Sequence, residues 1–266
     1  MTLISLTKHH GLGNDFLVVF SPDVDDLAGL ARRLCDRRRG IGADGLLVAT
    51  DAEGFDARMV LHNADGSRAE MSGNGIRCFA QALANRNGSI APQRILTDAG
   101  ERLVVLTETS DPTTVLAAVD MGEVADLSEP TGWAALECDP MRPVRPLSLG
   151  NPHSVVAVDD VHAVDLARLG ALVPHVNLEI VEPGPEPHGI TMRVHERGAG
   201  ITEACGTGAC ASAWASRLWG LVPATAVEIV VHMDGGDATV RLHDPSPNRV
   251  TLVGPAQYVA SVQVEA

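Results

Sequence analysis

The stretch Thr-Glu-Ala-Cys-Gly-Thr-Gly-Ala-Cys-Ala-Ser-Ala, residues 202–213, carries a side chain suited to chemistry. Cys205 stands directly before Gly-Thr-Gly, and small residues lead from there into 214–219, which reads as a helix. A glycine-rich loop feeding a helix places Cys205 at the helix start. There the first backbone N–H groups lack partners and the dipole is positive, so a carboxylate binds well. The same field lowers a thiol's pKa from about 8.5 to between roughly 3.5 and 7.5, and Cys205 is expected to be a thiolate at neutral pH. A basic sulfur beside a carboxylate cradle points to chemistry next to a carboxylate carbon. The competing reading is close helix packing by small residues, with Cys205 as a small buried hydrophobe.

A second copy lies half a chain earlier. In residues 70–80, Ser72-Gly-Asn-Gly matches Cys205-Gly-Thr-Gly, and an Ala-rich helical stretch follows each. The two motifs are 133 residues apart in a chain of 266. One recurrence at half the length indicates two similar halves, whereas a solenoid repeats every ~20–50 residues. Two glycine-opened helices aimed at one ligand from opposite sides suit inversion at carbon: one group removes a proton and another returns one to the other face.

Composition narrows the partners. The net charge of −14 repels nucleic acid and acidic membranes, and no Lys/Arg stripe opposes it. Arg37-Arg38-Arg39 is the only basic run and reads as the C-terminal turn of a helix, where cations complement the dipole. One Tyr, four Phe and three Trp leave little for stacking bases. The five cysteines, Cys35, Cys78, Cys138, Cys205 and Cys210, show no Cys-x-x-Cys spacing, so neither a disulfide framework nor a zinc site is indicated. Ten His residues form no His-x-x-x-His cluster, which argues against a metal hydrolase. The N-terminus lacks the apolar core of a signal peptide, and no run of about 18 apolar residues appears. A soluble, cytoplasmic protein is expected.

The remaining elements must position the two motifs. Strands are expected at 3–6 and 16–20 around a tight loop at 9–15, then an amphipathic helix over 26–37 and strands at 46–49 and 57–62. Residues 63–67 form a turn signal, and a helix over 74–84 follows Ser72. Strand patterns recur at 95–97, 103–107 and 113–116. Residues 121–146 are the most linker-like. Beyond them come a strand at 154–158, a helix over 160–172, strands at 176–181 and 189–194, and after the second motif strands at 226–231, 238–242 and 250–253. This is a mixed α/β (α+β) pattern. The expected domains are 1–119, completed by a returning strand at about 256–266, and 120–255.

Taken together, His10-Gly-Leu-Gly-Asn-Asp-Phe16, Asn63-Ala-Asp-Gly-Ser67, Gly73-Asn-Gly75, Gly150-Asn-Pro-His153, Glu196-Arg-Gly-Ala-Gly200 and Ala204-Cys-Gly-Thr-Gly208 resemble the diaminopimelate epimerase family in order over nearly the whole chain. The resemblance implies two pseudo-symmetric domains, each with strands around a central helix, and a substrate cleft between them. It implies interconversion of LL- and meso-diaminopimelate without pyridoxal phosphate or metal, in bacterial lysine and peptidoglycan precursor synthesis, by a homodimer. Cys205 then resembles one of two catalytic cysteines. Gly73, Asn74, Gly206 and Thr207 would surround the reacting carboxylate. Asn14, Asn63, Asn151, Asn177, Glu196 and Arg197 would hold the amino groups and the remote carboxylate, and Arg197 suits bidentate carboxylate binding. His153 and Glu196 resemble residues that tune proton transfer.

Ser72 departs from the family, which has its other catalytic cysteine there. An alcohol is far less acidic than a thiol, and Ser is also a preferred N-cap residue. Cys78, six positions on, lies about 9 Å further along a helix and on a different side, so it is not expected to substitute. Ser72 fits an introduced change that disables an epimerase, a natural variant with weaker proton transfer, or another substrate such as hydroxyproline. A non-catalytic amino-acid-binding relative is a further alternative. Gly45 stands where some family members carry a polar contact residue.

Overall fold

Leu12 and Gly13 both take positive φ, 56° and 83°, as the two-residue type I′ turn of a hairpin requires. They join β1 (Leu3–Gly11) to β2 (Asn14–Phe20), which pair antiparallel from Leu6↔Val19 to Gly11↔Asn14. The strands therefore run through most of the loop expected at 9–15. His9 is buried within β1, its ring held by Gln81 Oε1 at 2.8 Å and Thr7 Oγ1 at 2.9 Å. The structure, a computed structural model, describes residues 3–243 and 248–265. Residues 1, 2, 244–247 and 266, which the expected domains include, lie outside the described residues.

The chain divides into two units, one comprising residues up to Val119 and from Gly254 onward, the other Asp120–Val253. After its hairpin the first unit continues with α1 (Leu27–Cys35), β3 (Gly45–Thr50) parallel to β2, and β4 (Ala57–Asn63) antiparallel to β3. Then come the short β5 (Arg68–Ala69), the long α2 (Gly73–Asn87), β6 (Gln93–Thr97) parallel to β4, β7 (Gly100–Glu108) and β8 (Thr114–Glu123).

The second unit has the same order. Following β9 (Ala125–Asp126) and a single 3-10 turn at Trp133–Leu136, β10 (Val144–Ser148) and β11 (Pro152–Ala157) form a hairpin. Next are α3 (Leu166–Leu172), β12 (Asn177–Pro183) parallel to β11, β13 (Gly189–Glu196) antiparallel to β12, and β14 (Gly200–Thr202). The long α4 (Gly206–Trp219) leads to β15 (Glu228–Met233) parallel to β13, then β16 (Gly236–Leu242) and β17 (Arg249–Glu265). β17 begins against β16, and its residues 257–265 pair with β1.

α4 is apolar or small nearly all round, the pattern of a buried helix, and α2 is buried along most of its length with Asn74, Arg77 and Gln81 inside as well as its apolar residues. α2 packs against β1, β2, β4 and β7, and α4 against β10 to β13, β15 and β16. Ile76, Cys78, Phe79 and Ala80 of α2 are fully buried, as are Ala209, Cys210, Ala211, Ala213 and Ala215 of α4. Burying a side chain such as Ile76 or Phe79 stabilises the fold by roughly 1.5–3 kcal/mol. Both helices end on a left-handed glycine, Gly88 (φ 63°) and Gly220 (φ 74°), where the missing Cβ removes the steric penalty.

Three expectations are corrected. The helix expected over 160–172 starts only at Leu166, because Asp160 Oδ1 accepts from His162 N–H, Val161 N–H goes to Glu182 Oε2, and Asp165 is the N-cap. The basic run lies beyond the end of α1: Arg37 bridges Asp15 and Asp44 at 2.7 Å each, while Arg38 and Arg39 N–H bind Asp36 Oδ1. Ion pairing and turn geometry place these residues, not the helix dipole. Residues 121–146 are not a bare linker, since the end of β8, β9, the 3-10 turn and the start of β10 occupy much of the stretch. Among the described residues, no helix is long and apolar enough to cross a membrane.

Candidate active site

Both glycine motifs form N-caps. Cys205 has extended backbone (φ −127°, ψ 114°), its carbonyl accepts the first helical bond from Ala209 N–H at 2.9 Å, and its Sγ accepts from Gly208 N–H at 3.4 Å. Ser72 caps α2 in the same way (φ −138°, ψ 123°), with Ile76 N–H on its carbonyl at 2.9 Å and Gly75 N–H on its Oγ at 3.0 Å. In each helix the first-turn N–H groups precede the first intrahelical acceptor and lie at the positive end of the dipole, where an anion is favoured.

The expected Cys205 thiolate is overturned. Cys205 is only 5% exposed, and burial pushes its pKa well above the ordinary thiol value. The Glu196 carboxylate pushes the same way, and the hydrogen bonds from Thr207 and Gly208 do not offset these effects. Desolvation of the anion outweighs the helix terminus, so the resting side chain is a neutral thiol. Cys78 is fully buried, its thiol pushed up to about 12 by burial.

The second unit brings Asn151, His153, Asn177 and Thr207 together beside Cys205. β10–β11 supplies Asn151 and His153, the parallel register of β11 with β12 sets His153 opposite Asn177, and α4 supplies Thr207. Cys205 Sγ lies 3.5 Å from Thr207 Oγ1, Asn151 Nδ2 donates to Thr207 Oγ1 at 3.2 Å, and His153 Nε2 lies 3.0 Å from Asn151 Oδ1. His153 Nδ1 is 2.6 Å from Glu179 Oε1, with both side chains fully buried. Asn177 Oδ1 accepts from Arg197 N–H at 2.8 Å, while Glu196 accepts from Thr202 Oγ1 at 2.5 Å.

Glu179 escaped the sequence reading. Its signal was a lone carboxylate within the apolar strand Val-Asn-Leu-Glu-Ile-Val, two residues from Asn177 and hence on the same face. Gly208 is the matching half of that signal, because a Cβ there would stand 2.6 Å from Glu179 Oε1.

In the first unit, Asn74 Nδ2 donates to Asn14 Oδ1 at 3.2 Å, and Asn14 Nδ2 donates to Asp44 Oδ2 at 2.7 Å. Fully buried Arg77 donates to Asn74 Oδ1 at 2.8 Å, Gly73 O at 3.1 Å and Pro255 O at 3.2 Å. Asp44 and Arg77, also missed, therefore orient two expected site amides. Asn63 is not drawn into this group: its Nδ2 donates to Ser67 Oγ at 3.0 Å across its own turn. Arg197 has an exposed side chain. Gly45 has a packing reason, since a Cβ would stand 2.9 Å from His62 O across β3–β4. Among the described residues no group of three or more His, Cys, Asp or Glu could hold a metal ion.

Two repeated halves, each with a buried helix capped by a small polar or thiol side chain, define a fold shared with a phenazine biosynthesis protein of the PhzF family from Bacillus anthracis. The TM-score is 0.78 at 16% identity, covering 100% of both chains, a likeness of fold alone. In sequence, a family model described as diaminopimelate epimerase matches residues 6–126 and 147–259. The chain is 39% identical over 279 residues to the diaminopimelate epimerase of Desulfitobacterium hafniense, covering 96% of each, and 38% identical over 286 residues to that of Synechococcus elongatus, covering 98% of each. The chain belongs to the diaminopimelate epimerase family.

Proposed function

We propose that this protein interconverts LL- and meso-2,6-diaminopimelate by removing and returning an α-proton without a cofactor. Cys205 is one proton-transfer group and Ser72 occupies the second catalytic position. The observation that carries the reading is the shared N-cap geometry of Ser72 and Cys205 in a chain of this family. First-turn N–H groups at such caps stabilise charge developing on a carboxylate as its α-carbon becomes a carbanion, a preorganised electrostatic role.

Gly73, Asn74, Gly206 and Thr207 are the proposed carboxylate contacts. Asn14, Asn63, Asn151, Asn177, Glu196 and Arg197 are proposed for the amino groups and the remote carboxylate. Because Cys205 rests as a thiol, its proton must leave before it acts as a base, and Glu196, whose charge acts on it, is the proposed acceptor. A substrate ammonium entering this carboxylate field favours that transfer by offsetting the like-charge repulsion. The same reading places the protein in the cytoplasm, in lysine and peptidoglycan precursor synthesis, as a homodimer.

The test is NMR of LL- and meso-diaminopimelate with the protein in D₂O, following α-proton exchange and stereoisomer composition, beside Ser72→Cys. Exchange with inversion is the expected result for Ser72→Cys. Silence in both proteins, with neither isomer raising the melting temperature, would overturn the reading in favour of another substrate such as hydroxyproline. Binding without exchange in either protein would point to a non-catalytic amino-acid binder. Sedimentation checks the dimer.

A further inference from the structure

Two amide orientations in the second unit are settled by groups that can only donate or whose bonding is already spent. Asn177 receives Arg197 N–H at 2.8 Å, so that atom is its oxygen and its NH₂ faces His153 Nδ1, 3.5 Å away. A donor facing Nδ1 disfavours a proton there. Yet Nδ1 is also 2.6 Å from Glu179 Oε1, a contact that requires one shared proton. A bare Nδ1 therefore needs a protonated Glu179.

Independent observations agree. Glu179 Oε2 is buried with no hydrogen-bond partner, which is tolerable for the carbonyl of an acid and costly for a carboxylate. Burial pushes the Glu179 pKa up, with the Glu196 charge adding to it and His153 opposing. With Nδ1 bare, the ring proton sits on Nε2 and is donated to Asn151 Oδ1 at 3.0 Å. That orientation turns the Asn151 NH₂ to Thr207 Oγ1 at 3.2 Å. Thr207, having accepted there, keeps its own proton for Cys205 Sγ at 3.5 Å.

We propose that Glu179 is a positioning residue: protonated at rest, it donates to His153 Nδ1 and so sets the direction of a hydrogen-bond chain through His153, Asn151 and Thr207 that ends with a hydroxyl proton on Cys205 Sγ. Together with Gly208 N–H, the sulfur then meets two donors when its proton leaves. An ionised Glu179 accepting a hydrogen bond from Nδ1–H of a neutral ring would leave Nε2 bare, flip Asn151 and turn the Thr207 proton away. The chemistry served is that of the proposed epimerase, whereas the direction of the chain is a property of the protein without substrate.

The experiment is ¹⁵N-histidine NMR of the full chain, which reads which ring nitrogen carries the proton, with His153 assigned by His153→Gln. Expected is a protonated Nε2 and an unprotonated, hydrogen-bonded Nδ1. Glu179→Gln preserves this state because an amide can still donate to Nδ1, and Glu179→Leu loses it. A bare Nε2, or two protonated nitrogens, in the unsubstituted protein overturns the proposal. In the exchange assay Glu179→Leu and Thr207→Val lower kcat about tenfold or more, the loss of a hydrogen bond to a charged group. Glu179→Gln stays within about threefold, a difference that loss of a purely structural carboxylate would not produce. If no variant turns over diaminopimelate, the substrate reading fails while the ring nitrogens still decide the chain.

Discussion

Ser72 and Cys205 adopt one conformation in two settings: φ −138° and ψ 123° against φ −127° and ψ 114°, each receiving the N–H three residues on. Hydroxyl and thiol thus occupy equivalent cap positions, and they differ chiefly in acidity. Ser72→Cys is expected to raise exchange with inversion by at least about a hundredfold, the scale of a competent acid/base group. Ser72→Ala removes the cap bond and lowers stability by about 1 kcal/mol. A urea titration separates this loss from any effect on exchange.

Buried thiols set an alkaline limit. Cys35 and Cys78 are pushed up from 9.0 to about 12, chiefly by burial, and Cys205 moves in the same direction. A pKa raised on folding contributes stability that is complete below the unfolded value and is lost as pH rises toward the folded one. The urea midpoint should hold up to about pH 8.5, the ordinary thiol range, and fall between about 9 and about 12. Cys35→Ala flattens that fall, and an unchanged slope would contradict the assignment.

What the sequence made legible followed from local chemistry. Small residues and glycines mark α2 and α4, and Asp26, Ser72 and Cys205 begin helices because a side-chain acceptor is placed before an apolar run. Burial was not legible in the same way. The Cys205 thiolate expectation used the helix terminus, which a twelve-residue motif displays, and missed desolvation and the Glu196 charge, which acts from an earlier strand. Glu179 itself looked like one residue of an apolar strand, and its role depends on the parallel register that sets β12 beside His153. Arg37 likewise seemed a helix-end cation until Asp15 and Asp44 met it.

Gly75 and Gly208 hold equivalent third positions but face different neighbours. An added Cβ on Gly208 would stand 2.6 Å from Glu179 Oε1 and 3.3 Å from Cys205 Cβ, whereas at Gly75 the closest atoms are Ser72 Cβ at 3.1 Å and Oγ at 3.2 Å. Gly208→Ala should cost about 1–3 kcal/mol, as overpacking does, and reduce exchange by displacing Glu179. Gly75→Ala gains up to about 1 kcal/mol of helix propensity against a milder contact, so its melting temperature should change much less. Equal losses would show that the Glu179 contact is not what constrains Gly208.

In the first unit an amide chain runs from a group that only donates to one that only accepts: Arg77 to Asn74, Asn74 to Asn14, Asn14 to Asp44. The two ends should fail differently. Asp44 is exposed and shared with Arg37, so Asp44→Ala frees Asn14 and is expected to raise KM several-fold, about 3–10, with little change in kcat or folding, as loss of one positioning hydrogen bond does. Arg77 is fully buried, its guanidinium also holding the carbonyls of Gly73 and Pro255. Arg77→Met strands those acceptors and should destabilise by about 3 kcal/mol or more. Arg77→Lys is no rescue, because an ammonium lacks the planar fork that reaches three acceptors at once. Denaturation of Asp44→Ala and Arg77→Met side by side checks the contrast, and a well-folded Arg77→Met with normal KM would remove Arg77 from the chain that orients Asn14.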